Sequence, residues 1–249
     1  MLNLSTVPEL AASERAPLDA IADQLRAQVT NPIGILMGGG DLANAARVAQ
    51  RAGAERLLLE LFPGGPEHDL MASMAGFTRT RVVLQLRRSL PLGPPWDPYS
   101  PIEVRALRPG TSDEKAWLEL NARAFAWHPD QGSWTMDDLQ ARMAEPWFDP
   151  DGFLLHERDG QLIAFCWTKI HDEEAPPVGE IFVIGIDPEF QGKGLGQPLT
   201  YAGFEWLASR GLTQGMLYVE SDNQPALRLY DRLGFRVATT HRWYERALR

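Results

Sequence analysis

Apolar residues in the C-terminal part of the chain recur with two periods, and each period predicts one kind of element. Alternating or continuous apolar runs predict strands, and spacings of three and four predict helices. In chain order we expect a strand over 102–107, helices over 112–126 and 136–144, a hairpin over 152–170, a strand over 178–186, a helix over 197–210, a strand over 215–220, a helix over 223–233 and a strand over 235–246. This order predicts an α/β fold with a sheet of mixed direction.

Local signals mark the ends of several elements. Ser112 is the expected N-cap of the first of these helices, although Lys115 stands where a capping box needs an acid. Asp159-Gly160 predicts the turn of the hairpin, and Gly234 predicts the end of the last helix.

A proline-rich segment over 89–101 predicts a linker between an N-terminal part, 1–88, and a C-terminal domain, 102–249. Residues 52–88 align without a gap on residues 210–246, which favours a degenerate internal repeat. We therefore expect the N-terminal part to be a truncated, degenerate half-domain. Helical spacing over 14–29 predicts its first helix.

Three glycines, Gly192, Gly194 and Gly196, follow the expected strand over 178–186 and precede a helix. Glycines allow the backbone to approach a ligand closely, and the N-terminus of a helix favours an anion. The spacing fits neither a P-loop nor a dinucleotide fingerprint, so a pyrophosphate cradle and a plain turn both remain open. In the repeat, Gly34 and Gly38 match the outer two glycines and Leu36 replaces the middle one.

Composition limits the classes of function. The formal net charge of −9 argues against broad nucleic-acid binding, which needs a basic surface. No apolar run reaches membrane-spanning length, and the single cysteine, Cys166, lies in an apolar run that indicates a buried side chain. With five scattered histidines, His128 among them, no metal site is expected. The chain is expected to be cytoplasmic.

Two motifs resemble the GCN5-related N-acetyltransferases (GNAT). Gln191-Gly192-Lys193-Gly194-Leu195-Gly196 fits their [QR]-x-x-G-x-[GA] motif, and "ESDNQPALRLYDRLGF" over 220–235 resembles a later one that contains Asn223 and Tyr230. The resemblance covers 102–249. It implies the GNAT fold in that domain, acetyl-CoA as co-substrate and no metal.

Four further stretches resemble the mycothiol synthase family, namely "AFAWHPDQGSWT" (124–135), "WTKIH" (167–171), 179–200 and "MLYVESDN" (216–223). This resemblance implies acetylation of the cysteinyl amine of a cysteinyl-glucosaminyl-inositol to form mycothiol. The expected partner is thus a small pseudodisaccharide amine, without nucleic acid or membrane, and the expected state is a monomer. Members of this family carry two complete GNAT domains in tandem, whereas the N-terminal part of this chain is too short for a complete one.

The resemblance also implies roles for individual residues. Glu180 is the implied catalytic base and Tyr230 the implied acid that protonates the leaving thiolate. The implied cofactor-binding residues are Ile184, Gly185, Ile186, Gln191, Gly192, Lys193, Gly194, Leu195, Gly196, Gln197, Asn223 and Arg228, and the implied substrate-binding residues are Asp130, Lys169, Glu180 and Tyr218.

Structural interpretations stand beside these roles. Glu180 fits a surface carboxylate at a strand end, Tyr230 a core tyrosine, and Asn223 a helix cap. Trp127, Trp134, Trp147 and Trp167 fit packing as well as stacking on a sugar. The alternative functions are a GNAT enzyme for another small amine or a protein N-terminus, and a noncatalytic acyl-CoA-binding sensor.

Overall fold

The computed structural model describes residues 2–3, 42, 46, 50, 56–94, 101–128 and 131–248. Elements are numbered over these residues. The strands are β1 (Leu2–Asn3), β2 (Arg56–Leu61), β3 (Thr78–Ser89), β4 (Arg105–Ala106), β5 (Phe153–Arg158), β6 (Gln161–His171), β7 (Val178–Ile186), β8 (Gln214–Glu220) and β9 (Arg236–Ala247). The helices are α1 (Pro66–Met74), α2 (Ser112–Ala124), α3 (Met136–Met143), α4 (Gly196–Ser209) and α5 (Gln224–Arg232).

The chain divides into two compact units. The first contains Met1–Gln85, Val219–Asn223 and Val237–Arg249, and the second contains Leu86–Tyr218 and Gln224–Arg236. The domain boundaries expected at residues 88 and 102 remain predictions. The helix expected over 14–29 and the glycines Gly34 and Gly38 lie outside the described residues, as do residues 95–100 of the expected linker.

In the first unit the described strands lie in the order β1-β2-β9-β3, and β2 runs antiparallel to β9. One carboxylate connects α1 to two of these strands. Asp69 accepts hydrogen bonds from Arg79 at 2.6 Å, from Arg242 at 2.7 Å and from the Tyr244 hydroxyl at 2.8 Å. Because hydrogen bonds to a charged acceptor are stronger than neutral ones, Asp69 holds α1 against this part of the sheet.

The internal repeat remains a prediction, and two pairs of elements match its offset. The offset that aligns residues 52–88 with 210–246 also places α1 on α5 and β3 on β9 with identical ends. Each helix ends at a glycine with positive φ, 78° at Gly76 and 83° at Gly234, where a left-handed residue closes the helix. The same offset puts Ala72 at the place of Tyr230. The implied acid therefore belongs to the second copy alone.

In the second unit the strands lie in the order β8-β7-β6-β5-β4. The pairs β4–β5, β5–β6 and β6–β7 are antiparallel, whereas β7–β8 is parallel. Asp159 and Gly160 have φ values of 53° and 77° and form the expected hairpin turn. The expected α/β fold with a mixed sheet is thus confirmed.

Two layers of helix cover the two faces of this sheet. On one face, Trp117 of α2 and Leu139 of α3 pack with Phe153 and Trp167 in a buried aromatic core. On the other face, α4 lies so close to β6 that a methyl group at Gly203 would come within 2.5 Å of the Cys166 sulfur. The faces are called the α2–α3 face and the α4 face below.

Three expected element ends were wrong. The N-cap of α2 is Thr111 and not Ser112, because Gly110 takes a φ of 73° and turns the chain one residue earlier. The strand expected over 102–107 is limited to the two residues that pair with β5. Helix α4 begins at Gly196 itself, so this glycine belongs to the first helical turn.

Candidate functional site

Strand β7 is paired along one edge but only partly along the other. Its pairing with β6 runs from Val178 to Ile186, whereas its pairing with β8 is limited to Gly179–Gly215, Glu180–Met216 and Ile181–Leu217. Residues 182–186 therefore extend beyond the end of the β7–β8 ladder. This segment, called the open edge of β7 below, contains Ile184, Gly185 and Ile186.

A β-bulge coincides with the start of the open edge. Trp167 pairs with Val183, and the next residue of β6, Thr168, pairs with Ile181, so Phe182 is an extra residue in β7. A bulge bends its strand and increases the local twist. The ring of Phe182 packs at 5.1 Å from Trp147 and at 5.4 Å from Trp167. The core thus fixes the place where β7 leaves β8.

A buried carboxylate precedes the bulge by two residues. Glu180 is 5% exposed, and its Oε2 lies 2.6 Å from Nε2 of His171. The other ring nitrogen, Nδ1, lies 3.1 Å from Oε1 of Glu173. The hydrogen bond with Glu180 makes the largest contribution to a raised pKa of His171, burial and the charge of Lys169 act in the opposite direction, and Glu173 adds to the increase.

Lys169 lies directly opposite Glu180 in the β6–β7 ladder. Its ammonium nitrogen lies 4.9 Å from the centre of the Trp147 ring, in a cation–π contact. Because alternate residues of a strand share a face, Lys169 and His171 belong to the α2–α3 face with Trp167. The structure thus brings together two implied substrate-binding residues, Lys169 and Glu180, beside a histidine.

The glycine loop follows β7 through a turn of 3-10 helix at Pro188–Phe190. Gly192 and Gly194 have φ values of 73° and 83°, which residues with a side chain rarely adopt. The Gln191 side chain donates to the carbonyl of Ile186 at 3.1 Å and ties the loop to the end of the strand. Two positive φ angles and a side-chain hydrogen bond thus define the conformation of this loop, which is more than a plain turn needs.

The glycine loop has the geometry of an anion site. Among the residues that the structure describes, the backbone N–H groups of Gly192, Lys193, Gly194, Leu195 and Gly196 have no hydrogen-bond partner. A Cβ atom at Gly192 or Gly194 would meet nothing within 4 Å. The N-terminus of α4 adds the positive end of its dipole. These donors can bind an anionic group such as a diphosphate.

Tyr230 lies on the α4 face. Its ring is 6.0 Å from that of Phe235, which is 5.0 Å from Phe204 of α4. It is 5% exposed, and burial raises the pKa of its hydroxyl, with a smaller contribution from Cys166. Within the described residues this hydroxyl has no hydrogen-bond partner. Tyr230 and Glu180 therefore lie on opposite faces of the sheet, and no contact joins them.

The remaining implied site residues are more dispersed. Tyr218, near the end of β8, is 41% exposed, and Arg228 is exposed on α5. Asn223 directly precedes α5, and its N–H donates to the Glu220 carbonyl at 3.0 Å. Asp130 lies outside the described residues. Gln197 and Leu195 stand at the start of α4 with the loop.

Sequence reasoning missed His171 and Phe182. His171 closes the quoted stretch "WTKIH" two residues after Lys169, so strand alternation could have placed it on the face of Lys169. The bulge at Phe182 had no such signal, because an extra residue in a continuous apolar run leaves no mark on the pattern.

Several other candidates have structural roles. Cys166 is fully buried, and burial raises the pKa of its thiol. His128 Nδ1 accepts a hydrogen bond from the Gln131 N–H at 3.1 Å. Trp167 stacks on Phe153 at 4.3 Å inside the core, whereas Trp127 is exposed.

A metal-binding cluster and a membrane-spanning helix are both absent from the described residues. No group of three or more His, Cys, Asp or Glu side chains there is arranged to hold a metal ion. No helix in the same part of the chain combines the length and the apolar character needed to cross a bilayer.

Comparison with known proteins now gives the family. The model of the acetyltransferase (GNAT) family matches residues 115–235. A mycothiol acetyltransferase of Frankia alni is 44% identical over 238 residues, which are 90% of this chain and 71% of that protein. The chain belongs to the mycothiol acetyltransferase family, within the GNAT proteins.

Other relatives agree with this family assignment. Mycothiol acetyltransferases of Acidothermus cellulolyticus and Thermomonospora curvata are 50% and 53% identical over 73% and 66% of this chain. The chain spans only 59% and 55% of their lengths.

Among solved structures, a GCN5-related N-acetyltransferase of Sphaerobacter thermophilus has a TM-score of 0.67 at 21% identity, over 86% of this chain and 69% of that one. A tandem GNAT protein from the clavulanic acid biosynthesis pathway has a TM-score of 0.59 at 16% identity, over 85% of this chain and 70% of that one. These likenesses confirm the GNAT fold.

Proposed function

We propose that this member of the mycothiol acetyltransferase family is an acetyl-CoA-dependent N-acetyltransferase that acetylates the cysteinyl amine of a cysteinyl-glucosaminyl-inositol and so forms mycothiol. The observation that carries the proposal is the buried Glu180 carboxylate on the strand that leads to the open edge of β7 and the glycine loop. A buried carboxylate beside the proposed acetyl-CoA site can act as the base that takes a proton from the acceptor's ammonium group.

Acetyl-CoA supplies the acetyl group as a thioester with a thiolate leaving group. The N–H groups between Gly192 and Gly196 would bind its diphosphate, and Lys193 adds a positive charge beside them. The open edge of β7 offers main-chain donors and acceptors at Ile184, Gly185 and Ile186, which suit an amide-containing arm bound like an added strand. Gln191, Leu195, Gln197, Asn223 and Arg228 complete the proposed cofactor site.

Proton transfers follow from the two buried groups. The ammonium form of an α-amine has a pKa of about 8, so it loses its proton readily near neutral pH and a carboxylate such as Glu180 is a sufficient base. The free amine then attacks the thioester carbonyl, the carbon–sulfur bond breaks, and Tyr230 donates its proton to the sulfur. Because burial raises the pKa of Tyr230, the hydroxyl is protonated at neutral pH. Groups on opposite faces can act on one thioester that occupies the open edge.

The acceptor carries an ammonium group and many hydroxyls. The carboxylates of Glu180 and Glu173 are the groups in this part of the unit that can accept hydrogen bonds from an ammonium, and Lys169 and His171 balance their charge. Lys169, Tyr218 and Asp130 are the proposed partners of the acceptor's hydroxyl and amide groups. The similarity to the Frankia alni relative supports this choice of acceptor.

We place the reaction in the second copy of the repeat, within 102–249. In the first copy Ala72 occupies the place of Tyr230 and Leu36 the place of Gly194, so neither the acid nor the full loop is present. In this proposal residues 1–88 form a degenerate partner domain, which the linker at 89–101 joins to the catalytic domain.

The test is an acetyl-transfer assay that measures release of free coenzyme A. The cysteinyl-glucosaminyl-inositol amine is compared with unrelated small amines and with peptides that carry a free N-terminus. We expect kcat/KM to be highest for the first. Higher values for other amines would overturn the acceptor and leave the acetyltransferase. Coenzyme A binding without any transfer would favour the acyl-CoA sensor.

A further inference from the structure

His171 is enclosed by charged groups from three segments of the second unit. Glu180 of β7 lies 2.6 Å from its Nε2, and Glu173 of the loop after β6 lies 3.1 Å from its Nδ1. Lys169 of β6 is the nearby cation. The imidazole side chain is 13% exposed, whereas the Glu173 side chain is 68% exposed. Glu180, His171 and Glu173 thus form a chain of hydrogen-bonding groups that leads from a buried carboxylate to solvent.

The loop that carries the outer carboxylate is held in place. Arg87 donates two hydrogen bonds to the carboxylate of Glu174, at 2.8 and 2.9 Å. A bidentate pair of this kind fixes direction as well as distance. Glu173 is the neighbouring residue, so its place beside His171 is supported by a contact that does not involve the imidazole.

We propose that His171 and Glu173 form a charge-compensating proton relay for Glu180 during acetyl transfer, in which the imidazolium releases its Nδ1 proton as Glu180 takes up a proton from the acceptor. The proposal rests on the proposed function, because it needs Glu180 to act as the base. The relay makes His171 a positioning and proton-transfer residue that acts through Glu180.

The relay balances charge at each step. Before reaction, the imidazolium donates from Nε2 to the Glu180 carboxylate and from Nδ1 to Glu173. When the acceptor ammonium gives its proton to Glu180, the Nδ1–H bond breaks and that proton passes to Glu173 and then to water. The pair of Glu180 and His171 is neutral before and after this step, so no net charge is created in a buried place. After the product leaves, Glu180 loses its proton to entering water, and Nδ1 regains one through Glu173.

A relay and a merely structural hydrogen bond predict different kcat values for one variant of His171. In His171→Gln, the side-chain amide can still donate to Glu180, but it cannot release a proton near neutral pH. The relay predicts that H171Q loses kcat by about 10- to 100-fold, within the range of acid–base contributions, with KM and coenzyme A affinity unchanged. A positioning role alone predicts nearly full kcat in H171Q.

Chemical rescue gives a second measurement. His171→Ala is expected to lose kcat to a similar extent, and free imidazole is expected to restore part of it, increasingly for imidazoles of higher pKa. Glu173→Gln should lower kcat less, because water can replace an exposed carboxylate. The matched control is His241→Gln, which removes a pair of similar length, His241 Nε2 to Glu60 Oε1 at 2.7 Å, and should leave kcat unchanged.

The experiment measures steady-state kinetics of these variants on the acceptor that the wild-type chain acetylates best. An H171Q variant with wild-type kcat, or an H171A variant whose loss imidazole does not reverse, would overturn the relay and leave the proposed function intact. A wild-type chain that acetylates no amine would overturn the proposed function, and the relay with it. Circular dichroism and coenzyme A titration confirm that each variant is folded.

Discussion

An alanine at Gly194 changes the backbone of the glycine loop without crowding it. Gly194 has a φ of 83°, and a Cβ atom there would meet no atom within 4 Å. The whole penalty is therefore conformational, about 1–2 kcal/mol for a residue with a side chain in the left-handed region. Without ligand the loop can relax toward negative φ and avoid this penalty, which turns its N–H groups away from the anion site.

Binding of coenzyme A would then have to restore the strained loop. The affinity loss is limited by the strain of about 1–2 kcal/mol, so we expect the Kd for coenzyme A to rise by about 5- to 30-fold in Gly194→Ala. Isothermal titration calorimetry measures this Kd directly, and thermal unfolding without ligand measures how much strain remains in the free protein.

Gly211 offers a matched control at the opposite end of α4. Its φ is 85°, and a Cβ atom there also meets nothing within 4 Å, but it lies outside the glycine loop. Gly211→Ala should lower the melting temperature and leave coenzyme A affinity unchanged. If Gly194→Ala bound coenzyme A as tightly as the wild type and lost as much stability as Gly211→Ala, the loop would not be the diphosphate site.

Three further substitutions test the site and the fold. Glu180→Gln should lower kcat about 10²- to 10⁴-fold at neutral pH with coenzyme A affinity unchanged, and raised pH should recover part of the rate as the amine loses its proton unaided; unchanged kcat would exclude Glu180 as the base. Tyr230→Phe should lower kcat about 10- to 100-fold, and wild-type kcat in steady-state assays would refute its role as the acid. Asp113→Asn tests stability: hydrogen bonds from Arg105 lower the pKa of Asp113 to about 2, from an ordinary 3.8. A lowered pKa stabilises the folded state at pH values above the ordinary pKa of the group. D113N should therefore lose about 1–2 kcal/mol of unfolding free energy at pH 7, after allowance for the partly exposed Arg105, and this deficit should fade as the pH falls from about 4 to 2. A deficit in urea unfolding that does not change with pH would contradict the assignment.

The sequence predicted the order of elements because that order depends on local patterns. An apolar run predicted β7 over 178–186 with the ends that the structure has, and Asp159-Gly160 predicted the hairpin turn. The family resemblance was carried by short motifs and is confirmed by the comparisons. The roles of individual site residues remain predictions.

Long-range geometry could not be read from the same patterns. The bulge at Phe182 depends on which residue of β6 faces which residue of β7, and register is a property of two strands together. The hydrogen bond between His171 and Glu180 also depends on that register. The N-cap at Thr111 depends on the left-handed turn at Gly110, a choice between two adjacent residues that both cap helices well.

The open edge of β7 has a consequence for mutational surveys. Recognition there would come from main-chain groups, which are the same in every residue except proline, so replacing the half-buried side chains of Ile184 and Ile186 would leave the donors and acceptors in place. Alanine scanning would therefore find these two positions insensitive, although they belong to one of the most important parts of the site. Proline scanning, which removes one N–H at a time, is the survey to which this surface would respond.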